Sequence, residues 1–161
     1  MFKWHGPACQ TGNVAYKKPA EMGYGIWRKY WPADRAVDGS IDTIMNHGHC
    51  SWVQNAGPLS HSWKVDLRAF YDVETMLLYS TKSGYYYTLA PINVKTSRHE
   101  FDAYKECAKY DDKIKPASWI TVNCKVSVVR YIIIQRKSQS RTYWTMQICE
   151  VVVIGHIVAC K

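Results

Sequence analysis

Near the C-terminus the chain reads Ile148-Cys149-Glu150-Val151-Val152-Val153-Ile154-Gly155, an apolar β-branched run with a cysteine and a carboxylate close to its start. β-Branched residues favour extended backbone because their side chains fit the pleated surface of a sheet. A run of this kind that ends at glycine predicts a buried strand. We predict that Cys149 and Glu150 join this strand to distant parts of the fold.

The rest of the chain favours β structure as well. Its 161 residues suit one domain with a sizeable core, and they include 12 tyrosines and 7 tryptophans. No long helical pattern competes with the short runs between turns. We predict strands at 62–67, 71–79, 92–97 and 130–135, and an extended entry segment at 13–20. These runs predict an all-β sandwich.

The chain contains an even set of cysteines, with no CxxC pair and no zinc-ligand spacing, so disulfides are the better interpretation. Disulfides indicate an oxidising compartment, and we expect a secreted or extracellular protein. Residues 1–12 show no apolar core of a signal peptide, and a mature domain, a fragment of a larger secreted protein and an incomplete gene model all fit. The cysteines are Cys9, Cys50, Cys107, Cys124, Cys149 and Cys160.

The chain is basic, with a formal net charge of +8 and a pI near 9.2. Its lysines and arginines are scattered in twos and form no basic helix or stripe. A solvated basic surface and a functional anion site both fit this pattern. Charge alone does not predict nucleic-acid binding, and no apolar run is long enough to insert into a membrane.

Residues 33–42 form a carboxylate-rich turn that contains three aspartates and a glycine. Such a composition suits a hard, oxygen-ligated cation when backbone carbonyls contribute. The spacing is not that of an EF-hand. A metal site and an ordinary turn built on aspartate hydrogen bonds are both consistent with this stretch.

Six short segments occur in a distinctive order along the chain. They are Asn13-Val14-Ala15 with Lys18-Pro19-Ala20, Arg35-Ala36-Val37-Asp38-Gly39, Cys50-Ser51, Trp63-Lys64-Val65-Asp66-Leu67, the pair Cys107 and Cys124, and the strand that begins with Cys149-Glu150. In this order they resemble the F-type lectin (fucolectin) family of the discoidin-like, galactose-binding-like group. The resemblance implies an eight-stranded jelly-roll β-sandwich at 13–155, with an N-terminal arm at 1–12 and a C-terminal tail at 156–161.

The same resemblance implies two disulfides, Cys50–Cys149 and Cys107–Cys124. It leaves Cys9 and Cys160, one near each terminus. We expect these two to pair, since the termini of a domain often lie close together. An interchain bridge, giving an oligomer, and a link to a neighbouring domain of a larger chain are the alternatives.

A structural calcium ion is also implied by the resemblance. The ligands carried over are the carboxylates of Asp38 and Glu150 and the backbone carbonyls of Arg35, Ser40, His49 and Cys149. Ser40 stands where the family usually has asparagine, and His49 where it often has a hydroxyl residue, although both still offer a carbonyl. The alternative is that the two carboxylates only accept backbone hydrogen bonds.

The sugar-binding pattern of the family is not preserved. Its histidine is replaced by Trp52, and the positions of its arginine, aspartate and second basic residue hold Thr81, Ser83 and Thr88. Gly84-Tyr85 replaces its vicinal cysteines. A site that binds hydroxyls by hydrogen bonds loses much affinity when its partners are removed. We therefore do not expect ordinary fucose specificity.

Aromatic and cationic residues remain at the same end of the fold. The candidate ligand-binding residues are Trp27, Arg28, Trp52, Lys82, Tyr85, Tyr86 and Tyr87. Such a surface suits a glycan or glycoprotein, acidic ones included, and equally a protein partner, although several rings would also serve to cover the sandwich.

We therefore predict an extracellular, calcium-stabilised, lectin-like carbohydrate-recognition module. The alternative is a non-sugar-binding adhesion or assembly domain of a larger secreted or cell-surface protein. The sequence contains no nucleophile motif and no HExxH motif, so we do not predict an enzyme.

Overall fold

Strands make up most of the secondary structure in the residues that the computed structural model describes, which are 12–22, 30–54, 62–82, 89–136 and 145–158. Two 3₁₀ turns, Ala33–Val37 and Met45–His47, accompany them. The strands in this part of the chain are β1 (Gly12–Asn13), β2 (Ala20–Met22), β3 (Ser51–Gln54), β4 (Ser62–Tyr79), β5 (Ile92–Ser97), β6 (Lys105–Tyr110), β7 (Trp119–Val122), β8 (Val126–Arg136), β9 (Thr145–Ile148) and β10 (Glu150–Ile157).

The long strand β4 organises the sheets. Its first part pairs with β2 and β8, and its second part pairs with β10 and β7. The hydrogen-bonded order is β1-β10-β4-β8-β5-β6, and β3 and β9 form a separate two-stranded sheet. All of these pairings are antiparallel, and the predicted all-β class is confirmed.

The core lies between the inward faces of these strands. Along β4 buried and partly exposed residues alternate, as expected for a strand with one covered face, so that Val65, Met76 and Leu78 are fully buried. Trp63 is also fully buried, and its indole Nε1 donates a hydrogen bond of 2.8 Å to the carbonyl of Ala33. The first 3₁₀ turn is therefore tied to the core.

The prediction of separate strands at 62–67 and 71–79 was wrong, because both belong to β4. The pairing between β4 and β8 shifts register between Asp66 and Tyr71, so the interruption of the apolar pattern is an irregularity within one strand. Asp66 holds this point with two hydrogen bonds from Arg130, of 2.7 and 2.9 Å, and one from the backbone N–H of Arg68.

The apolar run at 148–155 is also divided differently from the prediction. Strand β9 ends at Ile148, Cys149 lies in a bend, and β10 runs from Glu150 to Ile157. The backbone N–H of Cys149 donates to the carbonyl of Tyr79, and its side chain is held in a disulfide. The local pattern of apolar residues does not reveal this bend, because β-branched residues continue on both sides of it.

The entry segment at 13–20 is not extended throughout, contrary to the prediction, because a turn at 14–17 separates Asn13, in β1, from Ala20, in β2. The Asn13 side-chain oxygen accepts hydrogen bonds from the backbone N–H groups of Ala15 and Val153. The first bond closes a local turn of the kind that asparagine favours. The second anchors this turn to β10.

The two disulfides implied by the family resemblance, Cys50–Cys149 and Cys107–Cys124, are confirmed. Cys9 and Cys160 lie outside the described residues, so their pairing stays a prediction. No helix in the described part of the chain is long and apolar enough to cross a membrane.

Gly155 offers a test of the packing between β10 and β4. It lies at a register shift in β10, where a Cβ atom would overlap the backbone carbonyl oxygen of Asp72. We expect Gly155→Ala to lower the free energy of unfolding by about 1–3 kcal/mol, because the β4 backbone must shift to make room. Urea unfolding monitored by tryptophan fluorescence measures this loss.

Gly12 is the matched control, since it pairs directly with Gly155 and a Cβ atom there would meet nothing within 4 Å. We expect Gly12→Ala to change the stability by less than about 0.5 kcal/mol. Equal losses in the two variants would contradict the close approach.

Candidate functional site

A cleft of about 370 Å³ opens beside the Cys50–Cys149 disulfide. It is lined mainly by apolar and aromatic side chains, with two amides and one ammonium group. The lining residues are Trp31, Ile44, Met45, Asn46, Trp52, Lys82 and Gln147. A cleft that combines apolar walls with a few polar groups is typical of small-ligand sites.

Two tryptophans form one wall of the cleft, and their positions are fixed. The Trp31 indole Nε1 donates to the carbonyl of Met45 at 3.1 Å, and the backbone N–H of Trp52 donates to the carbonyl of Trp31 at 3.2 Å. The ring centroids are 4.9 Å apart with the planes tilted by 56°. Both rings pack against the buried cluster of Met45 and the disulfide. These contacts set the orientation of the wall.

Strand pairing brings the amide of Gln147 to the same wall. Gln147 lies directly opposite Trp52 in the antiparallel pair of β3 and β9. Gln147 is only 1% exposed, yet it lines the cleft. Asn46, from the second 3₁₀ turn, is exposed and supplies the other amide. Amide groups both donate and accept hydrogen bonds, as hydroxyl ligands require.

Lys82 is positioned by the segment that follows β4. The backbone N–H of Lys82 and the hydroxyl of Thr81 both donate to the carbonyl of Thr43, at 3.1 and 2.9 Å. Ser80 is tied to the backbone of Ser118 in the same way. Thr81 is fully buried, whereas Lys82 is exposed at the cleft. Of Ser80, Thr81 and Lys82, only Lys82 lines the cleft.

The structure brings together two of the candidate ligand-binding residues, Trp52 and Lys82. The others, Trp27, Arg28, Tyr85, Tyr86 and Tyr87, lie outside the described residues. Sequence reasoning did not identify five lining residues, Trp31, Ile44, Met45, Asn46 and Gln147. Trp31 ends the aromatic-rich stretch 23–31, and that composition was a usable signal. No signal pointed to Gln147, because its place depends on the pairing of β3 with β9.

Two carboxylates, those of Asp38 and Glu150, form a second candidate site. Asp38 precedes Cys50 in the chain, and Glu150 directly follows Cys149. Glu150 is 2% exposed, and its carboxylate accepts hydrogen bonds from the Gly39 N–H at 3.1 Å and the Asn13 amide at 3.4 Å. Asp38 accepts from the Ser40 N–H at 2.8 Å and contacts the His49 imidazole Nδ1 at 2.9 Å. The turn and the closing strand therefore meet at these two side chains.

Burial raises the pKa of Glu150 to about 8, and the nearby charge of Asp38 acts in the same direction. The hydrogen bond from Gly39 opposes this shift only in part. Gly39 itself has a φ of +81°, and a Cβ atom there would overlap the Tyr16 ring, so the turn requires glycine. The fold thus places a carboxylate where its charge is poorly stabilised by water.

The donors at this point fit a hard cation better than zinc, since carboxylates and backbone carbonyls favour calcium or magnesium. Within the described ranges, no three His, Cys, Asp or Glu side chains gather around a common point. A cation here would need the carbonyls named from the sequence, those of Arg35, Ser40, His49 and Cys149. His49 also brings its imidazole to Asp38, a contact that the sequence interpretation did not foresee.

Comparison with known families identifies the domain. Residues 35–134 match the family described as the NedA-like, galactose-binding domain of the F5/F8 type C group. This match covers more than half of the chain. It confirms the resemblance to the discoidin-like, galactose-binding-like group that the ordered segments indicated. No curated protein sequence gives a significant match.

Similar solved structures share the fold at low sequence identity. The lectin domain of lectinolysin, in complex with Lewis B antigen, superposes with a TM-score of 0.74 at 23% identity, over 90% of this chain and 97% of that one. A fucose-binding module of Streptococcus pneumoniae gives 0.72 at 22% identity, over 88% and 94%. A fucolectin from striped bass (Morone saxatilis) serum gives 0.75 at 21% identity, over 91% of this chain and 49% of that one.

The raised pKa of Glu150 predicts how stability depends on pH. Between about pH 4.5 and 8 the unfolded chain loses the Glu150 proton while the folded chain keeps it, so this group favours unfolding progressively as the pH rises. In buffer with a chelator, we expect the wild type to lose stability over this range relative to Glu150→Gln, whose amide does not ionise. Urea unfolding of both proteins at several pH values measures the difference.

Other groups titrate in both proteins and cancel in this comparison. A constant difference between the wild type and Glu150→Gln from pH 4.5 to 8 would contradict a raised pKa. A difference that grows in favour of the wild type as the pH rises would mean that the folded state stabilises the charged form.

Proposed function

Because the chain belongs to the NedA-like, galactose-binding domain family, we propose that it is an extracellular carbohydrate-recognition module that binds glycans in the cleft beside Trp52 and Lys82. The observation that carries this proposal is the fixed pair of tryptophan rings at a cleft that also holds amide groups. Several structural neighbours are described as lectin or fucose-binding domains, which is consistent with it.

The chemistry of the cleft suits a saccharide ring. A sugar has an apolar face of C–H groups that packs on an aromatic ring, and hydroxyls around its edge that need hydrogen-bonding partners. Trp31 and Trp52 would receive the apolar face, and the amides of Asn46 and Gln147 would bind hydroxyls. Each of these side chains is assigned to binding and none to bond cleavage, so the proposed activity is binding rather than catalysis.

The specificity proposed differs from ordinary fucose recognition. Trp52 stands where the family pattern has histidine. Thr81, at the position of its arginine, has its hydroxyl on the carbonyl of Thr43 and is fully buried. A bulky indole and a buried threonine supply none of the charge-assisted hydrogen bonds on which that pattern depends. The two disulfides support an extracellular setting, where such bonds persist.

We also propose that a calcium ion stabilises the junction between the 33–42 turn and β10. Its ligands would be the carboxylates of Asp38 and Glu150 with carbonyls of the neighbouring backbone. A bound divalent cation would supply the positive charge that a buried carboxylate beside a second carboxylate lacks. The ion would act on the fold and would not enter the chemistry of the cleft.

Thermal unfolding tests the calcium proposal. At pH 7.5, calcium in hundredfold excess over its Kd stabilises the folded state by about 2.7 kcal/mol, so we expect Tm to rise by roughly 5–10 °C relative to chelator. Asp38→Asn and Glu150→Gln should each abolish this rise. Asp34→Asn, an exposed aspartate in the same turn, should keep it. A wild-type Tm that calcium leaves unchanged would exclude the site.

A glycan array tests carbohydrate binding directly. We expect Trp52→Ala to reduce the signal of bound glycans by about tenfold or more, since aromatic side chains dominate such contacts. Asn46→Ala, at an exposed lining residue, should also weaken binding. Both variants are first checked for a wild-type unfolding transition, so that a weaker signal reports lost contacts with the glycan.

Trp119→Ala is the matched control. Trp119 is exposed, stacks on Tyr79 and does not line the cleft, so its loss should leave the array signals unchanged. An array on which the wild type binds no saccharide would contradict the lectin function. It would favour the alternative of a non-sugar-binding adhesion or assembly domain.

A further inference from the structure

Lys82 is the one ionisable residue among those that line the cleft in the described part of the chain. The other lining residues are aromatic, aliphatic or amide-bearing. Its backbone is fixed by the hydrogen bond to Thr43, so the ammonium group stays within reach of the cleft. Among the described residues, Lys82 is therefore the positive charge that a ligand in this cleft would meet.

Among the described residues, no carboxylate neutralises that charge. Lys82 forms no ion pair with any described residue. All 13 aspartates and glutamates of the chain belong to the described ranges, so the remaining segments hold no acidic side chain that could pair with it. Those segments contribute only cations, namely Lys3, Arg28, Lys29, Lys137, Arg141 and Lys161.

The carboxylates nearest along the 38–42 turn already have partners of their own. Asp42, next to Thr43 in the chain, contacts the His47 imidazole at 2.6 Å and accepts from the Ile44 N–H at 2.9 Å. Asp38 contacts His49. A counter-charge for Lys82 must therefore come from solvent or from the ligand.

We propose that the glycan bound in this cleft is anionic, with a carboxylate or sulfate group placed at the Lys82 ammonium. This inference rests on the proposed glycan-binding function. The tryptophan pair receives the sugar ring, and Lys82 provides a point charge that suits either anionic group. A neutral sugar of the same shape makes the ring contacts but leaves the ammonium with water alone.

Matched glycans on an array test the charge preference. The probes are lactose, lactose 3′-sulfate and 3′-sialyllactose, with a glucuronate-ended oligosaccharide beside its glucose-ended counterpart. We expect the anionic members to bind about fivefold more tightly than the neutral ones, as an exposed ion pair allows, and less so at high salt. The sulfate and carboxylate arms show which group is preferred.

Substitutions assign the preference to Lys82. Lys82→Gln should weaken binding of the anionic glycans about fivefold and so remove their advantage over the neutral ones, whereas Lys82→Arg should keep the advantage. Lys125→Gln is the control for net charge. Lys125 is exposed and precedes Val126, which pairs with Val73. Val73 lies about 20 Å along β4 from Tyr79, the end of the strand that leads to Lys82.

The outcomes separate this inference from the function on which it rests. If neutral glycans bind as tightly as anionic ones and Lys82→Gln changes nothing, the inference is wrong while glycan binding stands. If no saccharide binds, both fall. If polyglutamate binds as tightly as the anionic glycans and depends equally on Lys82, the cleft recognises charge alone and the saccharide inference is overturned.

Discussion

The disulfide between Cys50 and Cys149 is the link on which both functional features depend. It joins two wholly buried cysteines that are 99 residues apart in the chain. Closing a loop of that length restricts the unfolded chain by an amount equivalent to about 4.7 kcal/mol in the loop-entropy treatment. Met45 and the two cleft tryptophans pack on this bond, and Glu150 follows it directly. One crosslink therefore supports the cleft and the carboxylate pair together.

The carboxylate pair is unfavourable to the fold by itself. Burying Glu150 beside Asp38 opposes ionisation, and one backbone N–H with a longer amide contact offsets only part of that penalty. Residues that act against stability in this way are commonly retained for binding. The alternative, two carboxylates that only cap backbone groups, leaves the penalty without a compensating charge. The calcium ion proposed for this junction would supply that charge.

The cleft is lined by side chains from turns and short strands around the Cys50–Cys149 disulfide. The segment after β4 buries Ser80 and Thr81, which are hydrogen-bonded to backbone carbonyls, and exposes Lys82 at the cleft. The two cleft tryptophans are supported by packing against Met45 and the disulfide. A fold of this group therefore supplies a rigid support, and the side chains at its end decide what is bound.

The sequence by itself determined the β class, strand β5 to the residue, and, through its resemblance to a family, both disulfides. It also named Trp52 and Lys82 as candidates, because aromatic and cationic residues are visible without coordinates, and both line the cleft. Only the tertiary structure decided that β4 is one strand, that Cys149 lies in a bend, and that Gln147 and Trp31 reach the cleft. The physical reason is that apolar periodicity reports which face of a segment is covered. Which segments meet there depends on strand pairing over long separations, which no local pattern contains.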